Sequence, residues 1–204
     1  MVMVDILTVY GPYNPFKELQ IKNLKRYTNK AYIHYTVQGG NNGSRSHGPA
    51  LDSLMSQGSG EYVVALDSDA FPVDFDWIDF LLEKLKTNIA VGICHQEPLY
   101  VHPSFFATKR EYLRGLSWAR QKDKDVGRVI SEDLMKRGPV ELLVPSHYFA
   151  ANPLGDHEPP LGAVYDHYIF HNWYTSRTKN TPNPDGISGK LITDSIRDAL
   201  ERYS

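Results

Sequence analysis

The chain has 204 residues and a mass of 23.2 kDa, enough for one full-sized core. Its 22 Lys and Arg against 24 Asp and Glu give a formal charge of −2 with no basic stripe, which argues against a nucleic-acid polymer as partner. Cys94 is the single cysteine, so an intramolecular disulfide and a zinc–thiolate cluster are excluded and a reducing compartment, the cytoplasm, is expected. No apolar stretch approaches the roughly 18 to 20 residues that span a bilayer, and residues 1–5 carry no basic region ahead of an apolar one. A soluble, unprocessed chain with no membrane span is expected.

Residues 2–10 are apolar enough for a first strand, and Gly11-Pro12-Tyr13-Asn14-Pro15 reads as a turn. Helical spacing follows at Phe16, Leu19, Asn23/Leu24 and Tyr27. A second strand is predicted over 31–37, then a turn at Asn41-Asn42-Gly43 and a helix over 48–57 with Leu51, Leu54 and Met55 on one face. The continuously apolar run 62–66 predicts a buried parallel strand, with Pro72 ending regular pairing beyond it. A helix over 77–85, strands over 89–95 and 99–108, and helices over 110–118 and 126–137 come next, the last stopped by Gly138-Pro139. Residues 140–145 predict a short strand and 152–162, with three prolines, a loop. In 189–203, Leu191, Ile192, Ile196, Ala199, Leu200 and Tyr203 line one side of a helix expected to pack back on the domain. Alternating strands and helices predict an α/β sandwich with a mainly parallel sheet.

Three D-x-D patterns occur, and their contexts differ. Asp74-Phe75-Asp76 precedes a helix, where carboxylates cap and complement the first turn. Asp123-Lys124-Asp125 lies in a charged segment that reads as a solvated turn. Only Asp67-Ser68-Asp69 follows directly on a buried strand, at the carboxyl end where open α/β sheets bind ligands. If that segment is extended, residues i and i+2 point to one side and converge on a hard divalent cation. Such a cation would neutralise a phosphate-bearing substrate.

The order strand–helix–strand–helix ending in Val63-Val64-Ala65-Leu66-Asp67-Ser68-Asp69 resembles the nucleotide-binding half of GT-A glycosyltransferases, a Rossmann-like α/β/α sandwich. Three further segments resemble that superfamily in order: Ser46-His47-Gly48-Pro49-Ala50-Leu51, His102-Pro103-Ser104-Phe105-Phe106-Ala107-Thr108, and Tyr168-Ile169-Phe170-His171-Asn172-Trp173. The resemblance covers about residues 2–177, taken as a single domain, with 178–204 as a C-terminal loop and helix. It implies Asp67 and Asp69 as metal ligands on a donor diphosphate, joined by His171, with His167 the competing histidine. An imidazole among the ligands favours Mn2+ over Mg2+. Thr8 and Tyr10 then stand near the base of a UDP- or GDP-linked donor, with Asn42, Arg45, His47 and Ser68 nearer its nucleotide and diphosphate.

Inverting sugar transfer requires a group that takes the acceptor hydroxyl's proton. Asp125 and Asp133 are the candidates, with Asp125 favoured because it opens the predicted helix, whereas Asp133 matches the wording of the related motif. His102, Ser104 and Phe105 resemble the strand lining the acceptor pocket, and Trp118 and Trp173 are candidates to stack on a sugar. The expected activity is metal-dependent transfer of a sugar from a nucleoside-diphosphate donor to a glycan or other hydroxyl. A degenerate domain that binds nucleotide or glycan without turnover is the alternative. A phosphatase with D-x-D on its first strand fits poorly, because here two β-α steps precede the motif.

Overall fold

In the computed structural model, which describes residues 2–11, 14, 16–39, 44–96, 99–119, 121, 124–148, 162–172, 194–198 and 200–201, the first strand, β1 (Val4–Tyr10), is buried along its whole length. There follow α1 (Lys17–Tyr27), β2 (Tyr32–Gln38), α2 (Ser44–Gln57), β3 (Tyr62–Leu66), β4 (Ala70–Pro72) and α3 (Trp77–Lys84). The hairpin β5 (Ala90–Gln96) and β6 (Leu99–Lys109) precedes α4 (Arg128–Arg137), β7 (Val140–Leu143), β8 (Pro145–Tyr148), β9 (Gly162–Tyr165) and β10 (Ile169–Asn172).

The strands form a six-stranded sheet in the order β2-β1-β3-β6-β5-β7 and a four-stranded sheet in the order β4-β10-β9-β8. In the large sheet β1 lies parallel to β2 and β3, and β5 parallel to β7; β6 alone runs against its neighbours. The mainly parallel sheet is therefore as expected. Strand alternation divides the core between its two faces. Val4, Ile6, Val64 and Leu66 pack with Leu24 and Tyr27 of α1 and Trp77, Ile78 and Leu81 of α3. Leu7, Val9, Val63 and Ala65 pack with Leu51 and Leu54 of α2 and Ile130 and Leu134 of α4. Because β1 pairs with β2 on one side and β3 on the other, the chain reverses its winding there, and the carboxyl ends of β1 and β3 mark the switch point at which open α/β sheets bind ligands.

Four local expectations are corrected. Helix α2 starts at Ser44, ahead of the Gly48-Pro49 pair that reads as a boundary. Gly48 serves a close approach instead, since a Cβ there would lie 2.2 Å from the Trp118 carbonyl oxygen. The predicted helix 110–118 is only a 3-10 turn over Arg110–Leu113, ended by Gly115 at φ +76°. Residues 140–145 divide between β7 and β8, which belong to different sheets. Pro72 does not end pairing: it lies in β4 opposite Ile169, on an edge strand where a missing N–H is tolerated.

The predicted loop 152–162 lies outside the described residues except for Gly162, which begins β9. Of the C-terminal stripe, Ile196 and Leu200 are buried against Phe16, Phe71, Val73, Val164 and Phe170 beneath the small sheet. At the opposite edge of the core, buried Asp5 accepts hydrogen bonds from Arg110 and from the Gly60 N–H at 2.7 Å. Arg110 also donates to the carbonyls of Met55 and Gly60, each at 2.8 Å. This clamp ties the foot of β1 to the end of α2 and β6.

The β9–β10 connection turns at Asp166 (φ 44°) and His167 (φ 68°), with the Tyr168 N–H donating to the Tyr165 carbonyl at 3.0 Å. Two consecutive left-handed residues are the geometry that favours glycine in the second place. His167→Gly is expected to raise stability by about 0.5–1 kcal/mol, read by chemical denaturation. An unchanged or lower midpoint would contradict this account of the turn.

Candidate metal and donor site

Asp67 leaves β3 with its N–H donating to the Ser104 carbonyl of β6 at 2.9 Å. The chain then reverses: the Ala70 N–H donates to the Asp67 carbonyl at 2.9 Å. The expected extended D-x-D segment is thus a tight turn, and the turn brings the two carboxylates together. Strand β4 starts at once and pairs antiparallel with β10, placing His171 opposite Ala70, while the Asn172 N–H donates to the Asp69 carbonyl at 3.0 Å. This register delivers an imidazole from 102 residues further along the chain to the side of Asp69.

Ligand atoms of Asp67, Asp69 and His171 all lie within 4.8 Å of one another, and this is the metal-capable cluster among the described residues. Asp69 is buried, and the Nδ1 atom of His171 is buried without a hydrogen-bond partner. Two carboxylates and an imidazole whose Nε2 lies 3.8 Å from Asp69 Oδ1 form a donor set suited to a divalent ion of intermediate softness. His167, the competing histidine, is at the hairpin turn beyond the Pro72 end of the β4–β10 ladder, away from the cluster.

Burial sets the charge states in this cluster, with neighbours modifying them. Burial and the nearby His102 hold the His171 imidazole at about 4 against the opposing pull of Asp67, so it is neutral near pH 7 and able to ligate. Burial would push the Asp67 carboxyl up, but the His47 hydrogen bond and the charges of His47, His102 and His171 bring it to about 2. His47 stands on α2 with Nε2 3.3 Å from Asp67 Oδ1. Burial lowers its pKa, yet the Asp67 bond and the charges of Asp67, Asp69 and Asp125 raise it above the ordinary value. Its position also brings the first turn of α2 to the site, where helix N–H groups favour an anion.

The charges of Asp67 and Asp125 both act on His102 and oppose the effect of its burial. Its Nδ1 accepts the Ser104 N–H at 3.1 Å, which leaves the ring proton on Nε2. Its ring continues a row from Tyr100 and His95 toward His171, with centroid separations of 4.7 Å, 5.8 Å and 6.5 Å between successive members. Burial lowers the His102 pKa.

Other expected contacts are redirected. Thr8 is fully buried, with its hydroxyl 3.0 Å from His34 Nε2, and Tyr10 is buried with its hydroxyl donating to Gln20 Oε1 at 2.6 Å. Neither offers a surface for a nucleotide base, because helices cover β1 on both faces. Trp118 is likewise core, packed edge-on against Phe106 at 5.2 Å, so it is not a sugar platform. Ser68 forms the tip of the turn, and Arg45 lies in the first turn of α2. Asn42 and Trp173 lie outside the described residues.

Gly127, not Asp125, is the N-cap of α4, in a left-handed conformation at φ 71°. Asp125 precedes it, exposed, with Oδ1 accepting the Val126 N–H at 2.8 Å. Its charge acts on His47, His102 and Tyr100. Asp133 is instead ion-paired to Arg137 one turn along α4. The residue that sequence reasoning missed is Gln20, a fully buried amide on the apolar stripe of α1. A glutamine between Phe16 and Leu24, at four-residue spacing from each, was the readable signal.

His34 gives the cradle of Thr8 a pH dependence. Burial holds it at about 4 in the fold, below its ordinary 6.5. Between those values the unfolded chain binds the additional proton, so stability is present above about pH 6.5 and is lost as pH falls toward 4. His34→Gln is expected to flatten the Tm-against-pH curve across that window. A variant curve parallel to the wild type would contradict it.

A mainly parallel sheet with one reversed strand, and a paired-carboxylate turn at the carboxyl end of β3 closed by a small second sheet, define the GT-A glycosyltransferase fold. Solved structures bear this out. A mannosyltransferase from Pyrobaculum calidifontis in complex with GDP-Man and Mn2+ matches with a TM-score of 0.54 and 17% identity, over 68% of this chain and 54% of its own. A variant of Drosophila β1,4-galactosyltransferase 7 complexed with manganese, UDP-Gal and xylobiose matches at 0.55 and 11% identity, over 95% and 79%. Glucosyl-3-phosphoglycerate synthase from Mycobacterium tuberculosis, with Mn2+ and UDP-glucose, matches at 0.52 and 15% identity, over 84% and 86%. The chain spans about half the length, 54%, of the mannosyltransferase. No family model matches the sequence, and no curated protein matches it significantly. No described helix is long and apolar enough to cross a membrane.

Proposed function

We propose that this chain is a metal-dependent glycosyltransferase that moves a sugar from a UDP- or GDP-linked donor to an acceptor hydroxyl with inversion. The observation that carries the reading is the convergence of Asp67, Asp69 and the neutral imidazole of His171 at the carboxyl end of β3. Mn2+, held by these three side chains, would act as a Lewis acid on the leaving diphosphate.

The protein's own groups do the rest. His47 and the first turn of α2 bind the anionic diphosphate beside Asp67. Neutral His102, its Nδ1 taken by the Ser104 N–H, has an Nε2 proton to offer to a sugar or acceptor oxygen. Asp125, exposed to solvent, takes the proton of the acceptor hydroxyl. The stacked rings of Tyr100, His95 and His102 offer an aromatic surface against which a sugar could pack.

A panel of UDP- and GDP-sugars tested with Mn2+ and candidate acceptors, read by mass, tests the proposal. Mn2+-dependent release of one nucleoside diphosphate, with the sugar passed to an acceptor or to water, is expected. Binding of donor without turnover by any pair would replace it with a binding domain, and hydrolysis of simple phosphate esters with a phosphatase.

A further inference from the structure

We infer that Gln20 is the positioning residue for the metal turn, setting the separation of the Asp67 and Asp69 carboxylates from the helix on the far side of the sheet edge. The inference rests on the proposed metal-dependent reading of that turn. Gln20 is fully buried, and its Nε2 donates to both carbonyls that bracket the reversal, Asp67 at 2.6 Å and Ala70 at 2.8 Å. Its Oε1 accepts the Tyr10 hydroxyl at 2.6 Å. Burial pushes the Tyr10 phenol up, so it remains a protonated donor, and a donor can face only the oxygen end of the amide. Tyr10 therefore selects the amide orientation that presents two N–H groups to the turn.

The other side of the turn is held by the Asn172 N–H on the Asp69 carbonyl. Ser68 and Asp69 are thus suspended between an amide from α1 and a backbone donor from β10. The Asp67 carbonyl accepts from both Ala70 and Gln20, which uses its two lone pairs. Asn23, one turn further along α1, donates to the Pro72 carbonyl at 3.3 Å and extends the same grip along β4. Removing the Gln20 amide takes one donor from each of the two carbonyls and leaves the turn less constrained, so the separation of the carboxylates is no longer fixed from the α1 side. Groups that orient ligands in this way are worth roughly 10- to 100-fold in metal affinity.

The test is Mn2+ affinity of the full chain, measured by calorimetry and by the EPR signal of free Mn2+, for wild type, Gln20→Met, Tyr10→Phe and Leu24→Ala. Gln20→Met keeps length and loses the amide, and is expected to weaken Mn2+ binding about tenfold or more. Tyr10→Phe, a milder change, is expected to weaken it about two- to fivefold. Leu24→Ala opens a cavity in the same helix and should lower Tm while leaving Mn2+ affinity intact, which separates positioning from general destabilisation. Amide exchange of residues 67–70 should accelerate in Gln20→Met and not in Leu24→Ala. A wild-type chain that takes up no Mn2+ sinks the functional reading and this inference with it. A wild-type chain that binds Mn2+ while both Gln20→Met and Tyr10→Phe bind it equally well overturns the inference alone, as does a matching loss in Leu24→Ala.

Discussion

Asp69→Asn is expected to abolish Mn2+ binding and to lower sugar transfer by about a thousandfold or more. Asp69 is buried, at 9% exposure, and shares its site with a second carboxylate. A buried acid is costly unless positive charge faces it; the nearby His171, with Nε2 3.8 Å from Asp69 Oδ1, is neutral near pH 7, and a divalent cation would supply that charge. The amide has nearly the same shape, and the Asn172 N–H bond to the Asp69 backbone carbonyl does not depend on the side chain, so the turn should be kept. Two outcomes should appear together. Without metal the variant should be no less stable than wild type, because carboxylate repulsion is relieved. With Mn2+ the wild type should gain stability, about 2.7 kcal/mol at a hundred times Kd, and the variant nothing. Thermal melts with and without Mn2+, together with turnover, make the comparison. An Asp69→Asn chain stabilised by Mn2+ as the wild type is would remove Asp69 from the ligand set.

Asp125→Asn is expected to lower kcat by roughly a hundredfold or more while leaving donor affinity nearly unchanged, whereas Asp133→Asn should stay close to wild type. The structural contrast between the two acids drives this split. Asp125 is exposed, carries no ion pair among the described residues, and exerts its charge on His47, His102 and Tyr100. Asp133 is neutralised by Arg137 on its own helix. The one anchor of Asp125, the Val126 N–H on its Oδ1, is an acceptor contact that asparagine preserves, so the substitution removes the base and little else. Initial rates at saturating donor and varied acceptor, with donor hydrolysis followed in parallel, separate the effects. A hundredfold loss in Asp133→Asn with Asp125→Asn unaffected would reverse the assignment, and a loss in neither would mean that another group takes the proton.

Much of the large sheet was readable because its signals are local. The apolar run of β3, the stripe of α1 and the Gly138 stop each depend on neighbours within a turn or two, and the structure keeps them within a few residues. The small sheet was hardly legible. Its four strands have three or four residues each, too short for periodicity to register, and β4 contains a proline. Thr8 and Tyr10 misled for a related reason. Their place at the end of β1 resembles a contact position, but α1 and the edge strand cover them, and one sequence does not say how far a helix overlaps a strand end.

What the sequence determined by itself was the Asp67-Ser68-Asp69 step at the end of a buried strand, because paired acids after a continuously apolar run need a cation or hydrogen-bond donors to face them. The tertiary structure alone decided which histidine lies beside it. The antiparallel register of β4 and β10 sets His171 opposite Ala70 and sends His167 to the hairpin tip. It also decided that Gln20 grips the turn and that Asp133 pairs with Arg137 on its own helix. Such choices depend on pairing between segments far apart in the chain, and a shift of one residue in that register would move His171 to the other face of the sheet.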